Sequence, residues 1–374
     1  MEHLFLLQIL LKKILLQLNN MIDINGLPWH FKGVRDVVGC TTAREVIEAA
    51  KLDFKVAKCE IMANMPSTSA DIDLCLDSDT GIVQTENGFL YNGRTVNKIN
   101  NQFATYRTDN NTPLGLVKSK YEIVQNIDAF KFFDDAIGPD KAIWDTAGCF
   151  DGGKRIFVSA KLPDTIKVGE NDNIENYLVF TNSHDGSSGV NIMFTPVRII
   201  CQNCLPGARK SADQFIRFRH TESVHGKINT AADILGIARK QEIIMEQEFN
   251  KLNLNKMNDL EVMDYFASIH LNAEEYQNVK REPSGIKLLF ARNNQLIANA
   301  GISTRKVNML CETIDYYHFG PGQREIQGTA WGAFNAVTGY YSNIANLKEE
   351  KRMYSLLYGN AGNIMNKALN IVAA

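Results

Sequence analysis

Between Tyr177 and Cys204, two apolar segments flank the polar run Thr181-Asn182-Ser183-His184-Asp185-Gly186-Ser187-Ser188. Serine, histidine and aspartate together suggest nucleophilic catalysis, but a triad needs three side chains converging from separate parts of a fold. Neighbours in one loop diverge, and no Gly-x-Ser-x-Gly elbow is present. His184 and Asp185 are metal-ligand types, yet no His-x-x-x-His or second carboxylate pair lies nearby to complete a site. The plainer role for Asn182, Ser183, His184 and Asp185 is a loop fixed by Asx turns and internal hydrogen bonds.

Cys201-x-x-Cys204, with His220 and His225 downstream, falls within reach of zinc-ligand spacing, although a structural site usually has a second clear pair. A thioredoxin-like redox role lacks its βαβ setting. Basic residues cluster more clearly. Arg198, Arg209, Lys210, Arg217, Arg219 and Lys227 face only Asp213 and Glu222 over that stretch. In a strand, Arg217 and Arg219 share one side, with Ile216 and Phe218 on the other. A second run holds Lys280, Arg281, Lys287, Arg292, Arg305 and Lys306. Such faces can neutralise phosphates, and nearby aromatics can stack on bases. The alternative is a solvated face paired with acidic segments elsewhere. Gly152-Gly153-Lys154 reads as a hairpin turn, without the strand-to-helix context of a phosphate loop.

These residues need elements to position them. Thr42 with Glu45 caps a short helix. Phe103 to Thr108 and Leu114 to Val124 read as strands, and Asn126 as the cap of a helix running to about Ile137. Trp144 to Phe150 and Arg155 to Leu162 form a hairpin around Asp151-Gly152-Gly153-Lys154. Tyr177 to Thr181, Val190 to Cys201 and Phe215 to His220 add further strands. Helices are expected over Ala231 to Leu252, Met257 to His270, Lys306 to Tyr317, Thr329 to Tyr341 and Gly362 to Val372. The fold class is therefore α+β: an antiparallel β-meander with a packed helix in the N-terminal half, and a mainly helical C-terminal half. The expected division is 1–20, an amphipathic helical extension; 21–227, an α+β core; and 228–374, a helical domain.

With 374 residues, 45% hydrophobic and 22% charged, the chain has an ordinary globular composition. A net charge of -2 gives no overall attraction to nucleic acid or anionic membranes, so any such surface must be local. Seven scattered cysteines are no disulfide framework and fit a reducing compartment. Residues 4–18 put Leu4, Leu7, Leu11, Ile14, Leu15 and Leu18 on one helical face, interrupted by Lys12 and Lys13. That run is too short to span a bilayer and unlike a signal peptide. It suits docking on the protein itself or on a sister subunit, and Met21 offers an alternative start.

A resemblance emerges from several motifs in order: Pro28-Trp29-His30, Leu116-Val117, Tyr121, Val124-Gln125-Asn126, Phe130, Ala147-Gly148 and Gly153-Lys154-Arg155. They continue through the Thr181–Ser188 loop, Thr195-Pro196-Val197-Arg198, Cys201-Gln202-Asn203, Arg219-His220-Thr221 and the segment from Gly328 to Thr338. Together they resemble the phage/plasmid-like family classed as domain of unknown function 932, from about Met21 to the C-terminus. That family usually has Thr where Cys204 stands, which weakens the zinc reading. The resemblance implies a protein carried by phages, prophages and plasmids and working in the bacterial cytoplasm; it supplies no activity. In setting and in its meander-plus-helix core the family is similar to phage single-strand annealing recombinases, an analogy that does not fix a function.

The expectation is a non-catalytic nucleic-acid-binding protein, favouring single-stranded DNA and acting as a homo-oligomer without a cofactor, metal or membrane. Lys154, Arg155, Arg198, Arg209, Lys210, Arg217 and Arg219 would form its binding surface. Asn182, Ser183, His184 and Asp185 would shape the loop. One alternative is a metal-dependent enzyme acting on nucleic acid or nucleotide through His184 and Asp185. The other is a phage interaction or assembly protein.

Overall fold

The computed structural model describes residues 34–66, 82–85, 88–91, 94–137, 141–170, 172–196, 215–218, 231–345 and 349–373. Residues 1–20, Arg198, Cys201, Cys204, Arg209, Lys210, Arg219, His220 and His225 lie outside the described residues.

In chain order, the first half contains β1 (Arg35–Asp36), α1 (Ala43–Ala49), β2 (Val56–Pro66), β3 (Ile82–Thr85), β4 (Gly88–Tyr91), β5 (Arg94–Arg107) and β6 (Pro113–Lys118). A short helix α2 (Asn126–Phe130) tightens into a 3-10 turn, Lys131–Ala136. It leads into β7 (Ile143–Phe150), β8 (Arg155–Val168), β9 (Asp172–Ser183), β10 (Val190–Pro196) and β11 (Phe215–Phe218). The second half is helical: α3 (Ala231–Leu254), α4 (Asp259–His270), α5 (Ala273–Arg281), α6 (Gly285–Phe290), α7 (Asn294–Asn299) and α8 (Thr304–Phe319). Then follow α9 (Ala330–Gly339), a π turn (Tyr340–Ile344), α10 (Glu349–Tyr358) and α11 (Asn360–Val372). The chain is thus α+β, with strands in its first half and helices in its second.

Two antiparallel sheets form. One has six strands in the order β1-β7-β8-β9-β10-β11. In the other, β5 is central: β2 pairs along one side, while β4 and β6 share the other and β3 extends from β4. The β7–β8 turn forms as its sequence predicts. Asp151, Gly152 and Gly153 all have positive φ (49°, 70° and 106°), which glycine adopts without steric cost. A Cβ on Gly153 would also lie 2.8 Å from the Phe54 ring.

The six-stranded sheet is covered on one face by α2 and the turn after it. Phe133 packs 4.7 Å from Phe180 and 5.6 Å from Trp144, centroid to centroid, and all three are buried. Here one expectation is corrected. Gln125, not Asn126, occupies the N-cap of α2, and the α-helix ends at Phe130. Asn126 lies inside the first turn with its side chain committed elsewhere. Gln125 instead pairs with the β2 edge, its Nε2 donating to Val56 O (2.9 Å) and its Oε1 accepting from Val56 N (3.1 Å).

The helical half shares the sheet's core. Every residue of α9 is buried, and Thr329 caps it by accepting from Gly332 N (3.0 Å). Trp331 stacks on Phe249 of α3 at 4.4 Å and donates its Nε1 to Asp172 of β9 (3.0 Å). Asn176 of β9 donates to Glu242 of α3 (2.7 Å), whose carboxyl is pushed up by burial. Among the described residues, no helix is long and apolar enough to cross a membrane.

Candidate functional site: the loop between the sheets

The Thr181–Ser188 run ends β9 and turns toward β10, where the two sheets meet. Asp185 Oδ1 accepts from the backbone N of Ser187 (2.9 Å), an Asx turn of the kind the sequence suggests. Ser183 Oγ donates to Ser188 O (2.7 Å) and accepts from Ser188 N (3.0 Å). Asn191, across the ladder from Thr181, donates to Ser188 Oγ and Gly189 O and ties the loop's far end. The loop is closed by its own side chains.

His184 is fully buried. Its backbone N donates to Lys154 O (2.7 Å) in the β7–β8 turn, and its carbonyl accepts from Thr105 Oγ1 of β5 (2.6 Å). Its ring Nε2 lies 2.7 Å from Asn126 Oδ1. Because Asn126 Nδ2 donates to Leu52 O (2.7 Å), its Oδ1 is the acceptor, and His184 Nε2 must carry the proton. The ring meets Phe54 edge-on at 6.2 Å. Arg107 lies over the other part of this assembly, 4.0 Å above the Phe54 ring, and donates to Gly152 O (3.1 Å).

Other bonds span the same junction. Asn182 Nδ2 donates to Val124 O (2.9 Å) and Tyr121 OH to Ser183 O (2.8 Å). Burial, with Asp185 nearby, pushes the Tyr121 phenol well above its ordinary pKa, so the hydroxyl stays a donor. Gly115 of β6 lies so close to the loop that an added Cβ would be 2.7 Å from Asp185 O and nearer still to its Cα. Asp185 pairs with Arg155 (Oδ2 to Nη2, 2.8 Å) with both side chains largely screened from solvent. Arg155 also donates to Ser187 Oγ (2.9 and 3.1 Å), and its guanidinium lies 4.9 Å from the Tyr354 ring of α10.

The residues that chemistry singled out are therefore brought together as a joint. Its polar atoms are directed inward, at backbone from Leu52, Val124, Lys154 and Ser183. Five residues not named as site residues from the sequence take part: Phe54, Thr105, Arg107, Tyr121 and Asn126. Tyr121 stands out only as part of the family pattern, Asn126 there and as an expected helix cap, and nothing in local spacing links Thr105 to a residue 79 positions away. Among the described residues, no three His, Cys, Asp or Glu side chains are grouped closely enough to hold a metal ion.

The basic positions divide. Lys154 and Arg155 stand at the start of β8, and the strand register sets Arg155 opposite Ser183, Thr181 opposite Asn191, and Asn191 opposite Arg217. Lys154, Arg155 and Arg217 thus lie at one end of the six-stranded sheet, beside the loop. In the second basic run two of the six cations are paired with carboxylates. Lys280 pairs with Asp264 (3.0 Å), Lys306 holds both oxygens of Glu275 (2.8 and 2.6 Å), and Arg292 donates to Asn308.

A family model described as a domain of unknown function, DUF932, matches residues 113–358. That span begins at β6 and runs through α10, so it takes in the loop, the six-stranded sheet from β7 onward and most of the helices. No curated protein and no solved structure matches the chain.

Proposed function

We propose, for a chain that belongs to the DUF932 family, a non-catalytic nucleic-acid-binding role in phage or plasmid DNA metabolism, with single-stranded DNA as the favoured ligand. The observation that carries this reading is the placing of Lys154 and Arg217 at one sheet end, with Arg155 beside them paired to Asp185, next to a loop whose polar groups are spent on structure. Arg198, Arg209, Lys210 and Arg219 belong to the same proposal through sequence alone. A loop that holds its histidine against an asparagine and its aspartate against an arginine supports a scaffold, on which binding residues are carried.

The test is an oligonucleotide titration across salt, with and without divalent metal. Binding should weaken steeply as salt rises, because each phosphate neutralised on a single strand adds about 0.7 to the slope of log K against log salt. Absent or salt-independent binding removes the reading. A requirement for divalent metal, together with turnover lost in His184→Ala but retained by a stability-matched control, would instead support the metal-dependent enzyme. A second reading, an interaction or assembly protein, has one observation in its favour. Met65, Ile99 and Leu116 are exposed apolar side chains on the five-stranded sheet. A stable complex with one protein partner, formed without nucleic acid, would favour it.

A further inference from the structure

The five-stranded sheet reaches beyond the joint. Among Ala57–Pro66, β3, β4 and Arg94–Ala104, only Leu90 is buried. This is an arm with little core of its own, and pairing register and side-chain contacts define what its free face carries. Lys98 pairs across the ladder with Met62 and forms an ion pair with Glu60. Glu60 lies opposite Phe103, and Lys58 Nζ is 5.7 Å from the Phe103 ring. Directly opposed residues in an antiparallel ladder share a face, as do residues two apart. Val96 and Arg94 therefore continue the side of Lys98. Phe89 lies opposite Val96 and Tyr91 opposite Arg94. Arg94 Nε donates to Asn64 Oδ1 (2.6 Å), which confirms the shared side.

Three rings and three cations thus alternate along one face: Tyr91 with Arg94, Phe89 with Lys98, and Phe103 with Lys58. Glu60 is the one carboxylate among the described residues of these four strands on that side. Three extra residues of β5 bulge out between Lys98 and Phe103, so the strip from Arg94 to Phe103 matches only Glu60–Pro66 of β2 and is about 20 Å long at strand spacing. Tyr91 is 46% exposed. Phe89 and Phe103 are half-buried. The strip's inner end joins the basic sheet end by two contacts: Lys58 Nζ donates to Tyr121 O (2.7 Å), and Tyr121 OH donates to Ser183 O.

We infer that this face of the arm is a stacking platform for single-stranded nucleic acid, with bases on Tyr91, Phe89 and Phe103 and phosphates on Arg94, Lys98 and Lys58. The inference rests on the nucleic-acid reading above and adds where the strand lies. Net charge argues for the local site: the whole chain, at -2, has no general pull on a polyanion, whereas the described residues of this strip hold three cations to one anion. Aromatic rings spaced along a basic track suit a strand of any sequence, since every base offers a π face.

The test compares full-length wild type, Tyr91→Ala, Tyr91→Trp and the pair Arg94→Gln/Lys98→Gln, using a fluorescent oligothymidylate and thermal melting as a fold control. Tyr91→Ala should weaken binding by about 5- to 150-fold, the range of one stacked base, with Tyr91→Trp close to wild type. The pair should lower the salt slope by about 0.7 for each cation removed. Photocrosslinking of wild type to a bromodeoxyuridine oligonucleotide gives a readout that no variant's folding can spoil, and its adducts should fall within Gly88–Phe103. Wild-type binding unaffected by all variants, with adducts only elsewhere, overturns the platform and leaves the proposed function standing. No binding by wild type overturns both, whereas loss of self-association in Tyr91→Ala without any oligonucleotide effect overturns the platform alone.

Discussion

At the scale of single residues, the histidine that most invites a catalytic reading is a fastener. His184→Ala would open a cavity and strand Asn126 Oδ1 in the interior, at a cost of about 2–5 kcal/mol. Urea unfolding should show that loss, while the folded fraction keeps its oligonucleotide affinity. A larger loss of affinity than of folded protein would return His184 to the binding site. A second buried histidine makes stability depend on pH. His270 in α4 lies near the Tyr341 hydroxyl (3.3 Å), and its pKa is pushed down to about 3 by burial, with the Lys367 charge adding to the effect. In the unfolded chain it would titrate near 6.5. Between those values the unfolded state binds the extra proton, so stability falls as pH drops below about 6.5, by up to about 1.4 kcal/mol per unit from this group. Denaturant midpoints from pH 7.5 to 4.5 should follow that slope, and His270→Gln should flatten it. An equal slope in the variant would assign the acid sensitivity to other groups.

At the scale of elements, close approach sets the tolerances. Gly115→Ala would drive β6 against the backbone of Asp185, where neither side is a flexible side-chain end. The expected cost is about 1–3 kcal/mol, readable as a fall in melting temperature, and a variant melting like wild type would mean that the sheets can part at this point. What the sequence makes legible here depends on how local the cause is. The β7–β8 turn follows from Asp151-Gly152-Gly153-Lys154, α1 from Thr42 and Glu45, and α9 from the apolar run after Thr329; each is decided within a few residues. The strands β2, β3 and β4 leave no such mark. Apart from Val56 and Leu90, their side chains are exposed or half-buried on both faces, and the register with β5 shifts between Glu60 and Met62. The helices α5, α6, α7 and α10 also escape notice, being 6 to 10 residues long. Yet α5 had a readable start, since Asn272 and Glu275 form a capping box. Asn126 misleads for the opposite reason. Its residue type suits a cap, but its side chain is claimed by Leu52 and His184, which no short-range pattern reveals.

At the scale of the whole molecule, the strands and helices divide along the sequence but not in the core. Trp331, Phe249 and Asp172 tie α9, α3 and β9 together, and the buried apolar residues of both halves form one cluster. Thermal unfolding should therefore show a single cooperative transition for the sheet and the helices. Trp331→Phe, which leaves buried Asp172 without that donor, should shift the whole transition by about 1–3 kcal/mol. Two resolved transitions, with only one moved by the substitution, would contradict a shared core. The arm stands apart from this unit: its face carries the binding proposal, and its link to the body runs through the loop.

The joint also sets an order of events during synthesis. The five-stranded sheet has all its strands once Lys118 has been made, but the partners that clasp it, Ser183, His184 and Asp185, are about 65 residues further along. At ordinary elongation rates of about 5–20 residues per second, the arm waits roughly 3–13 s for its anchor. During that interval the outer side of β2 has Gln125 to pair with at Val56, and the rest of that edge faces whatever nascent chain or chaperone is nearest.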